Sequence, residues 1–378
     1  MNSRSFLALT ITLMMFPQIA QTLYSPALAD IEQVFSVGSQ ATSQLLSVFF
    51  IGFALGVLVW GRVSDCLGRR TAMLAGLAFY TLGSALALLA KSFEALIIAQ
   101  AVAAFGAAVG SVVTQTLLRD RYSGTELAHV YSIASIALAA SPAIGLFIGA
   151  SLVHLQGYSG VLTCLLVLSL VLLAWCLVKL PETRPQALSP TPLLNTLGQM
   201  LQDPGIWRSA ALVAAFNVAL FSYYSVGPFL FDNLGMTAES FGNSGVLLAL
   251  GSGLGAWLNR RLLKRGVGGS SVVEIASCLM LFGALLMLLL QGSWLFITPM
   301  LLVVLAFGMA IPNVLGTALV KYQDRLGTAG ALFGFLYYLM IGGAMMVVAW
   351  AQELGWTILI CSLVALLSSI EREQTRAA

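Results

Sequence analysis

Apolar runs, each close to the ~20 residues an α-helix needs to cross ~30 Å of hydrocarbon, recur along this chain from end to end. They fall at 6–29, 43–61, 71–90, 95–118, 129–153, 159–179, 206–231, 240–259, 272–290, 294–320, 328–350 and 354–370, which predicts twelve membrane spans. In hydrocarbon every backbone N–H and C=O needs a partner within the chain, so uninterrupted apolar runs of this length read as helices. At 59% hydrophobic and 9% charged residues, the composition excludes an ordinary soluble domain, where about a quarter are charged.

The cations orient the spans. The termini and the even-numbered connections hold Arg4; Arg62, Arg69, Arg70; Arg119, Arg121; Lys179, Arg184, Arg208; Arg260, Arg261, Lys264, Arg265; Lys321, Arg325; and Arg372, Arg376. Of the 18 Lys and Arg, only Lys91 lies in an odd-numbered connection. Because helices alternate in direction, both termini and the even-numbered connections share one face, here termed the cationic face. Cationic flanks stay cytoplasmic during insertion, so a multi-pass protein of the cell inner membrane is expected, with both termini cytoplasmic. The first run is too long for a signal-peptide core and lacks an A-x-A-like site, so it is expected to remain as span 1.

The chain divides into six spans plus six. Pro181, Pro185, Pro190, Pro192 and Pro204 interrupt the stretch after span 6, and no transmembrane helix tolerates prolines at that density. The expected units are an N-terminal bundle at 1–180, a cytoplasmic linker at 181–205 and a C-terminal bundle at 206–378. A weak internal echo, Gly61-Arg-Val-Ser-Asp65 after span 2 against Gly255-Ala-Trp-Leu-Asn259 closing span 8, fits two halves around a midplane site, a recurring transporter plan. Small-residue pairs at Gly52/Gly56, Gly106/Gly110, Gly145/Gly149 and Gly251/Gly255 read as close helix packing. Those in spans 2, 5 and 8 are also candidates for surfaces that slide during conformational change.

No Asp, Glu, Lys, Arg or His falls near the middle of a span. The hidden polar groups are amides: Gln18 and Gln21 in span 1, Gln100 and Gln115 in span 4, Asn217 in span 7 and Asn313 in span 10. A buried amide is costly without a partner or water. Their concentration on spans 1, 4, 7 and 10 predicts a shared wet interior, where they and Tyr223 are candidate substrate contacts. The alternative for any one of them is a bond to a neighbouring helix. Phe221, Tyr223, Tyr224, Tyr337 and Tyr338 supply aromatic surface for a lipophilic ligand or for packing. Five cysteines without C-x-x-C spacing and two histidines at opposite ends of span 5 suggest neither disulfide framework nor metal site. No nucleophile–base pair or phosphate loop is present. The net charge of +3 comes from loop flanks and not from a patch for nucleic acid. The chain thus reads as a non-enzyme with no cofactor, working as a monomer in the lipid bilayer.

Three local patterns carry a resemblance. Gly61-Arg62-Val63-Ser64-Asp65-Cys66-Leu67-Gly68-Arg69-Arg70 looks like the G-x-x-x-D-[RK]-x-G-R-[RK] loop of the major facilitator superfamily, with Cys66 in place of a cation. Its glycines permit a sharp turn, and Asp65 is suited to cap a facing helix or pair with an Arg, latching the halves together on the cytoplasmic side. Gly61, Asp65, Gly68, Arg69 and Arg70 are therefore the candidate gating loop. Ser141-Pro142-Ala143-Ile144-Gly145 is similar to the G-P-x-x-G-G element of the antiporter branch, a kink at Pro142 and Gly145. Ser222-Tyr-Tyr-Ser-Val-Gly-Pro-Phe-Leu230, Phe241-Gly242, Ile311-Pro-Asn313, Gly327-Thr-Ala-Gly-Ala-Leu-Phe-Gly334, Leu180-Pro-Glu-Thr-Arg184 and Tyr24-Ser-Pro-Ala-Leu28 resemble the Bcr/CflA group of drug:proton antiporters.

The resemblance implies an all-α fold of two pseudo-symmetric six-helix bundles. It also implies proton-coupled export of a small amphipathic compound by alternating access. Three departures bear on coupling. Thr22 stands where the group usually has Asp, the span-4 pattern R-x-x-Q becomes Gln100-Ala-Val-Ala103, and Gln115 replaces a second Arg. Asp30, Asp120 and Asp232 at the membrane edges are the remaining candidates for proton coupling; each also reads as an ordinary helix-end charge. The other readings are an uncoupled facilitator, a substrate that carries its own proton, a dedicated exporter of an endogenous metabolite such as a siderophore, and a transport-inactive receptor or scaffold.

Overall fold

The computed structural model describes residues 3–184 and 193–377. Pro185, Pro190 and Pro192, and the side chains of Arg4, Arg372 and Arg376, lie outside the described residues. Span 1 is α1 (Ser3–Tyr24), continued through a 3-10 turn at Ser25–Ala27 into α2 (Leu28–Phe35). Spans 2 and 3 are α3 (Ser39–Leu67) and α4 (Arg69–Leu89), and span 4 is α5 (Phe93–Ala107) with α6 (Val109–Arg121).

Spans 5 and 6 were expected as separate helices. They form one 56-residue element, α7 (Gly124–Lys179), interrupted at Gly157 with φ 65 and ψ −163. Only glycine adopts that region without strain. Run straight, 56 residues would extend about 84 Å, nearly three bilayer cores, so the break at Gly157 makes two spans of it.

The stretch between the halves carries a short helix of its own. Residues after Pro192 carry no proline until Pro204, and Leu193–Gln202 form α8, which buries Thr196 and Met200 one turn apart. Asp203 then caps α9 (Pro204–Asn233), its carboxylate accepting from Gly205 N at 2.9 Å, with Pro204 at the first helical position, where a missing N–H costs nothing. The chain continues as α10 (Ala238–Lys264), α11 (Gly269–Leu290), α12 (Ile297–Ala318), α13 (Leu326–Ala351) and α14 (Leu354–Ala377). Ten of the described helices are long and apolar enough to cross a membrane. Since α7 crosses twice and Leu354–Ile370 of α14 adds a shorter apolar helix, the expected twelve spans are present.

Within the first half α1 packs on α7, and α5 on α3 and α4; within the second, α12 packs on α10 and α11, and α14 on α9 and α11. The halves meet along α3–α13 and α7–α10. Spans 2 and 8 are equivalent in the two halves, as are 5 and 11, so these two contacts are related by the pseudo-twofold. The glycine pairs do not form them. Gly52 and Gly56 face Ala101 and Phe105 of α5, Gly145 and Gly149 face α1, and Gly251 and Gly255 face Leu301 and Leu305 of α12. All are contacts inside one half, so the reading of these pairs as sliding surfaces is withdrawn. Between the halves small residues allow close approach at both contacts: a methyl group on Gly242 of α10 would collide with Ala150 Cβ of α7, and one on Gly342 of α13 would lie 2.6 Å from Ile51 Cγ1.

Candidate functional site

The two halves are bonded together on the face opposite the cations. Pro228 lacks an N–H, so the carbonyl of Tyr224, four residues earlier in α9, loses its helical partner. Ser25, in the 3-10 turn of the other half, donates its hydroxyl to that Tyr224 carbonyl. One residue on, Ser43 Oγ donates to Ser225 O at 3.4 Å, and Gln352 Nε2 donates to Ser43 Oγ at 2.8 Å. Gln40 Nε2 reaches Trp350 O at 2.8 Å. Beneath these bonds Phe50 packs on Phe221, ring centroids 4.6 Å apart. The far face is sealed.

On the cationic face the halves enclose a cavity of about 640 Å³, within the usual range for small-molecule sites. It is lined from α6 by Gln115, Thr116 and Arg119, from the segment before α13 by Gln323, and from α13 by Tyr337 and Tyr338. Arg119 and Gln323 are exposed at the ends of their helices and mark its mouth. Spans 4 and 10 line the cavity, but spans 2 and 11 stand where 1 and 7 were expected.

The amides anticipated as one group fall into three. Gln115 is in the cavity wall. Gln18 and Asn217 lie deeper. Ser25 and Tyr224 meet at the seal, and seven residues, two turns or about 10 Å, toward the cationic face bring each helix to Gln18 and Asn217. Seven residues return nearly to the same helical face, so the two amides share a depth below the seal. Both are half-buried. Gln18 Oε1 and the Gln21 Nε2 one turn above lack hydrogen-bond partners, whereas Asn217 Nδ2 bonds its own helix at Val213 O, 2.7 Å.

The others lie outside the cavity lining. Gln100 is buried in α5. Tyr223 is fully buried in the second half, its hydroxyl 2.5 Å from Ser244 Oγ and its ring against Phe241. Asn313 Nδ2 donates to Asn259 Oδ1 at 2.8 Å, between α12 and α10.

In the glycine-bearing loop after α3, the described polar bonds of Asp65, Arg69 and Arg70 lie within the first half, contrary to the reading of Asp65 as a latch between halves, while Gly61 lies against Ala331 of α13. Gly68, at φ +105, turns the chain so that Arg69 folds back. The Arg69 guanidinium, 3% exposed, bonds Asp65 at 3.0 Å and Asp120 at 2.9 Å. Its Nη1 also donates to Ser64 O at 2.8 Å. Glu182, from the Leu180-Pro-Glu-Thr-Arg184 segment, caps α4 by accepting from Arg69 N at 2.8 Å and Arg70 N at 3.2 Å. Partial burial alone would raise its carboxyl; the N–H groups of Arg184, Arg69, Arg70 and Thr183 outweigh that and hold it below the usual carboxylate range. In the matching loop of the second half the neutral pair Asn259–Asn313 replaces this ionic cluster.

Of the carboxylates considered for proton coupling, two already have partners. Asp30 Oδ2 accepts from Tyr158 N at 2.5 Å, capping the helix that restarts after Gly157. Asp120 holds Arg69 and accepts from Thr183 Oγ1 at 3.0 Å. Asp232 is exposed at the end of α9. Thr22, where the related group has Asp, is buried against Gly145 and donates to Gln18 O at 2.8 Å. Pro142 sits in unbroken helix, with Ser141 Oγ bonded to Ala137 O at 2.8 Å, so the sharp break in α7 belongs to Gly157.

Sequence reasoning assigned no role to Ser25, Ser43, Glu182 or Arg119. Pro228 was the available signal for the first, since a proline within a span always leaves a carbonyl to be satisfied.

Residues 10–346 match the Major Facilitator Superfamily. The chain is 30% identical over 347 residues to a protein described as an uncharacterized transporter from Rickettsia bellii (strain RML369-C), covering 88% of this chain and 86% of that one. It is 27% identical over 338 residues to multidrug resistance protein D of Escherichia coli (strain K12), covering 88% and 85% of the two. The crystal structure of a D-xylose–proton symporter superposes with a TM-score of 0.69 at 14% identity, over 97% of this chain and 96% of the other, a likeness of fold. With the family matched across nearly the whole chain and a cavity between two six-helix halves, the protein belongs to the major facilitator superfamily and is a multi-pass membrane transporter.

Proposed function

We propose that this protein exports a small amphipathic compound from the cytoplasm across the inner membrane by alternating access, as a monomer with both termini cytoplasmic. The observation that carries this reading is the asymmetry between the faces: a cavity opens between the halves on the cationic side while hydrogen bonds seal the other. In one cycle the cargo enters from the cytoplasm, the seal around Ser25 and Tyr224 parts, and the cytoplasmic mouth closes. The moving bodies are 1–180 and 206–378, joined by the linker 181–205. The first body is stiffened at its cytoplasmic end by Glu182 and the Arg69 cluster, so the loop from Gly61 to Arg70 moves as part of that body when the mouth closes. Gln18, Gln115 and Asn217 are the amides placed to contact cargo between mouth and seal. Names such as multidrug resistance protein D and chloramphenicol resistance protein among the relatives support drug-like cargo and the outward direction.

Proton antiport requires a group that gains and loses a proton once per cycle. Asp30 and Asp120 serve this only by releasing Tyr158 N or Arg69, which makes Asp232, exposed at the end of α9, the first candidate. The test is purified protein in liposomes with an internal pH dye and labelled substrate. Proton release on adding substrate, lost in Asp232→Asn, supports antiport. Flux without proton movement eliminates proton antiport but not export, and absence of any flux across a panel of amphipathic compounds removes the transport reading.

A further inference from the structure

Helix α10 carries an outward apolar stripe that ends in cations. On its inner sides Gly251 and Gly255 pack on Leu301 and Leu305 of α12, and Gly242 and Gly245 pack on α7. Among the described residues none from α10 lines the cavity between the halves. Turned away from both contacts, Leu250, Leu254, Trp257, Arg261 and Lys264 recur every three or four residues, which keeps them on one face of the helix. All five are exposed, Leu250 by 66% and Leu254 and Trp257 by 52% each. The 27 residues of α10 extend about 40 Å against a hydrocarbon core of ~30 Å. Its last turns therefore stand at headgroup level, where exposed Arg260 and Arg265 flank the end of the stripe.

These four cations are not answered within the protein. On the same face of the molecule Arg69 meets Asp65 and Asp120, and Lys321 meets Asp203. Among the described residues Arg260, Arg261, Lys264 and Arg265 have no ion pair, and the Asn259–Asn313 pair beside them is neutral. Nor does the helix end need them as caps. Arg261 O and Leu262 O accept from Arg265 N, and Leu263 O accepts from Gly266 N. Arg260 and Lys264, like Arg261 and Arg265, stand four residues apart and repel. Arg261 Cζ lies 5.1 Å from the Trp257 ring centroid, so the guanidinium is laid along the stripe at the boundary where Trp collects.

We propose that this stripe binds an anionic glycerophospholipid of the leaflet on the cationic face. Its headgroup sits on Arg261 and Lys264 between Arg260 and Arg265, and an acyl chain follows Trp257, Leu254 and Leu250. Cation clusters just beyond a membrane helix attract anionic lipid, and here the apolar stripe runs directly into the cluster. That continuity selects a lipid over a free phosphate. The site lies on the outside of the second half, apart from the cavity between the halves.

The test places a bimane on Leu254→Cys in the full chain, with the five native cysteines replaced by serine, in phosphatidylcholine bilayers. Quenching by dibromo-phosphatidylglycerol against dibromo-phosphatidylcholine reads the lipid preference at the stripe. The control labels Cys278, exposed on α11, with the other four cysteines replaced. Phosphatidylglycerol should be preferred roughly fivefold beside Leu254, the value of about one cation near an anionic surface, with no preference beside Cys278. Arg261→Gln with Lys264→Gln should bring the preference below about twofold and leave quenching by phosphatidylcholine unchanged, as evidence of an intact fold. Arg260 and Arg265 remain there to hold the orientation of insertion. Arg261→Gln alone, expected to halve the preference, carries the test if the double variant does not insert, and Arg261→Lys should retain it. No preference beside Leu254, or an equal one beside Cys278 from diffuse surface charge, overturns the proposal. So does a preference that survives these Gln variants, or its loss to inorganic phosphate at constant ionic strength, which would mark a site for a free anion.

Discussion

The seal bond between Ser25 and the Tyr224 carbonyl can be tested as a thermodynamic cycle, because the sequence supplies two ways to satisfy that carbonyl. In the wild type Pro228 withholds the helical N–H and Ser25 replaces it from the other half. Ser25→Ala leaves the carbonyl unpaired while Tyr224, 2% exposed, remains sealed from water. An unsatisfied buried group costs about 1–3 kcal/mol, and that penalty falls only on the far-side-closed state. Taking ~2 kcal/mol, the equilibrium moves roughly 30-fold toward far-side opening. Adding Pro228→Ala returns an N–H to the helix, so the double variant loses only the net value of one hydrogen bond, about 1 kcal/mol or roughly fivefold.

The assay is the rate at which a membrane-impermeant maleimide labels Asn217→Cys from the far side in oriented vesicles, with the five native cysteines replaced by serine. Labelling should rise in the order parent, double variant, Ser25→Ala. If the double variant labels as fast as Ser25→Ala or faster, the proline-freed carbonyl is not what Ser25 satisfies. If Ser25→Ala changes nothing, the bond does not hold the seal.

Glu182 ties stability to pH: because its folded carboxyl titrates below the ordinary range, its contribution is fully present above the unfolded value near 4.5 and disappears as pH falls through the depressed folded value. Glu182→Gln should therefore lower the melting temperature by a few degrees at pH 7, consistent with a cap worth about 1 kcal/mol, and the difference should shrink toward pH 3; a difference that persists there refutes the cap. Gly342→Val places bulk 2.6 Å from Ile51 Cγ1 at the α3–α13 contact and should slow turnover severalfold with little change in binding at the mouth, measured by flux against calorimetry. Asp120→Ala removes one of two carboxylates from a guanidinium 3% exposed and should cost about 3 kcal/mol, read as lower yield and melting temperature, with Asp120→Asn milder.

Twelve spans, their alternation and the six-plus-six division were legible in the chain because hydrocarbon imposes its demands locally. Each span must satisfy its own backbone within about 20 residues, and each connection carries its sorting charge beside it. The glycine-bearing loop was legible for a related reason, since Gly68 and its neighbours Asp65 and Arg69 lie within one turn. The polar interior was legible only as a set of residues. Period and depth place Gln18, Gln115, Asn217 and Asn313 on equivalent spans, but which neighbour each amide meets depends on helix rotation and on which face of the molecule is open. Asn313 turned to Asn259, Tyr223 to Ser244, and the cavity was walled by spans 2 and 11 where 1 and 7 were expected.

Partners far apart in sequence were decided by tertiary structure alone: Ser25 with Tyr224, Glu182 with Arg69 and Arg70, Asp30 with Tyr158. In each a charge or hydroxyl satisfies a backbone group left unpaired by a proline or a helix start. The sequence announces the unpaired group, at Pro228, at Gly68 and after Gly157, and only packing selects the side chain that answers it.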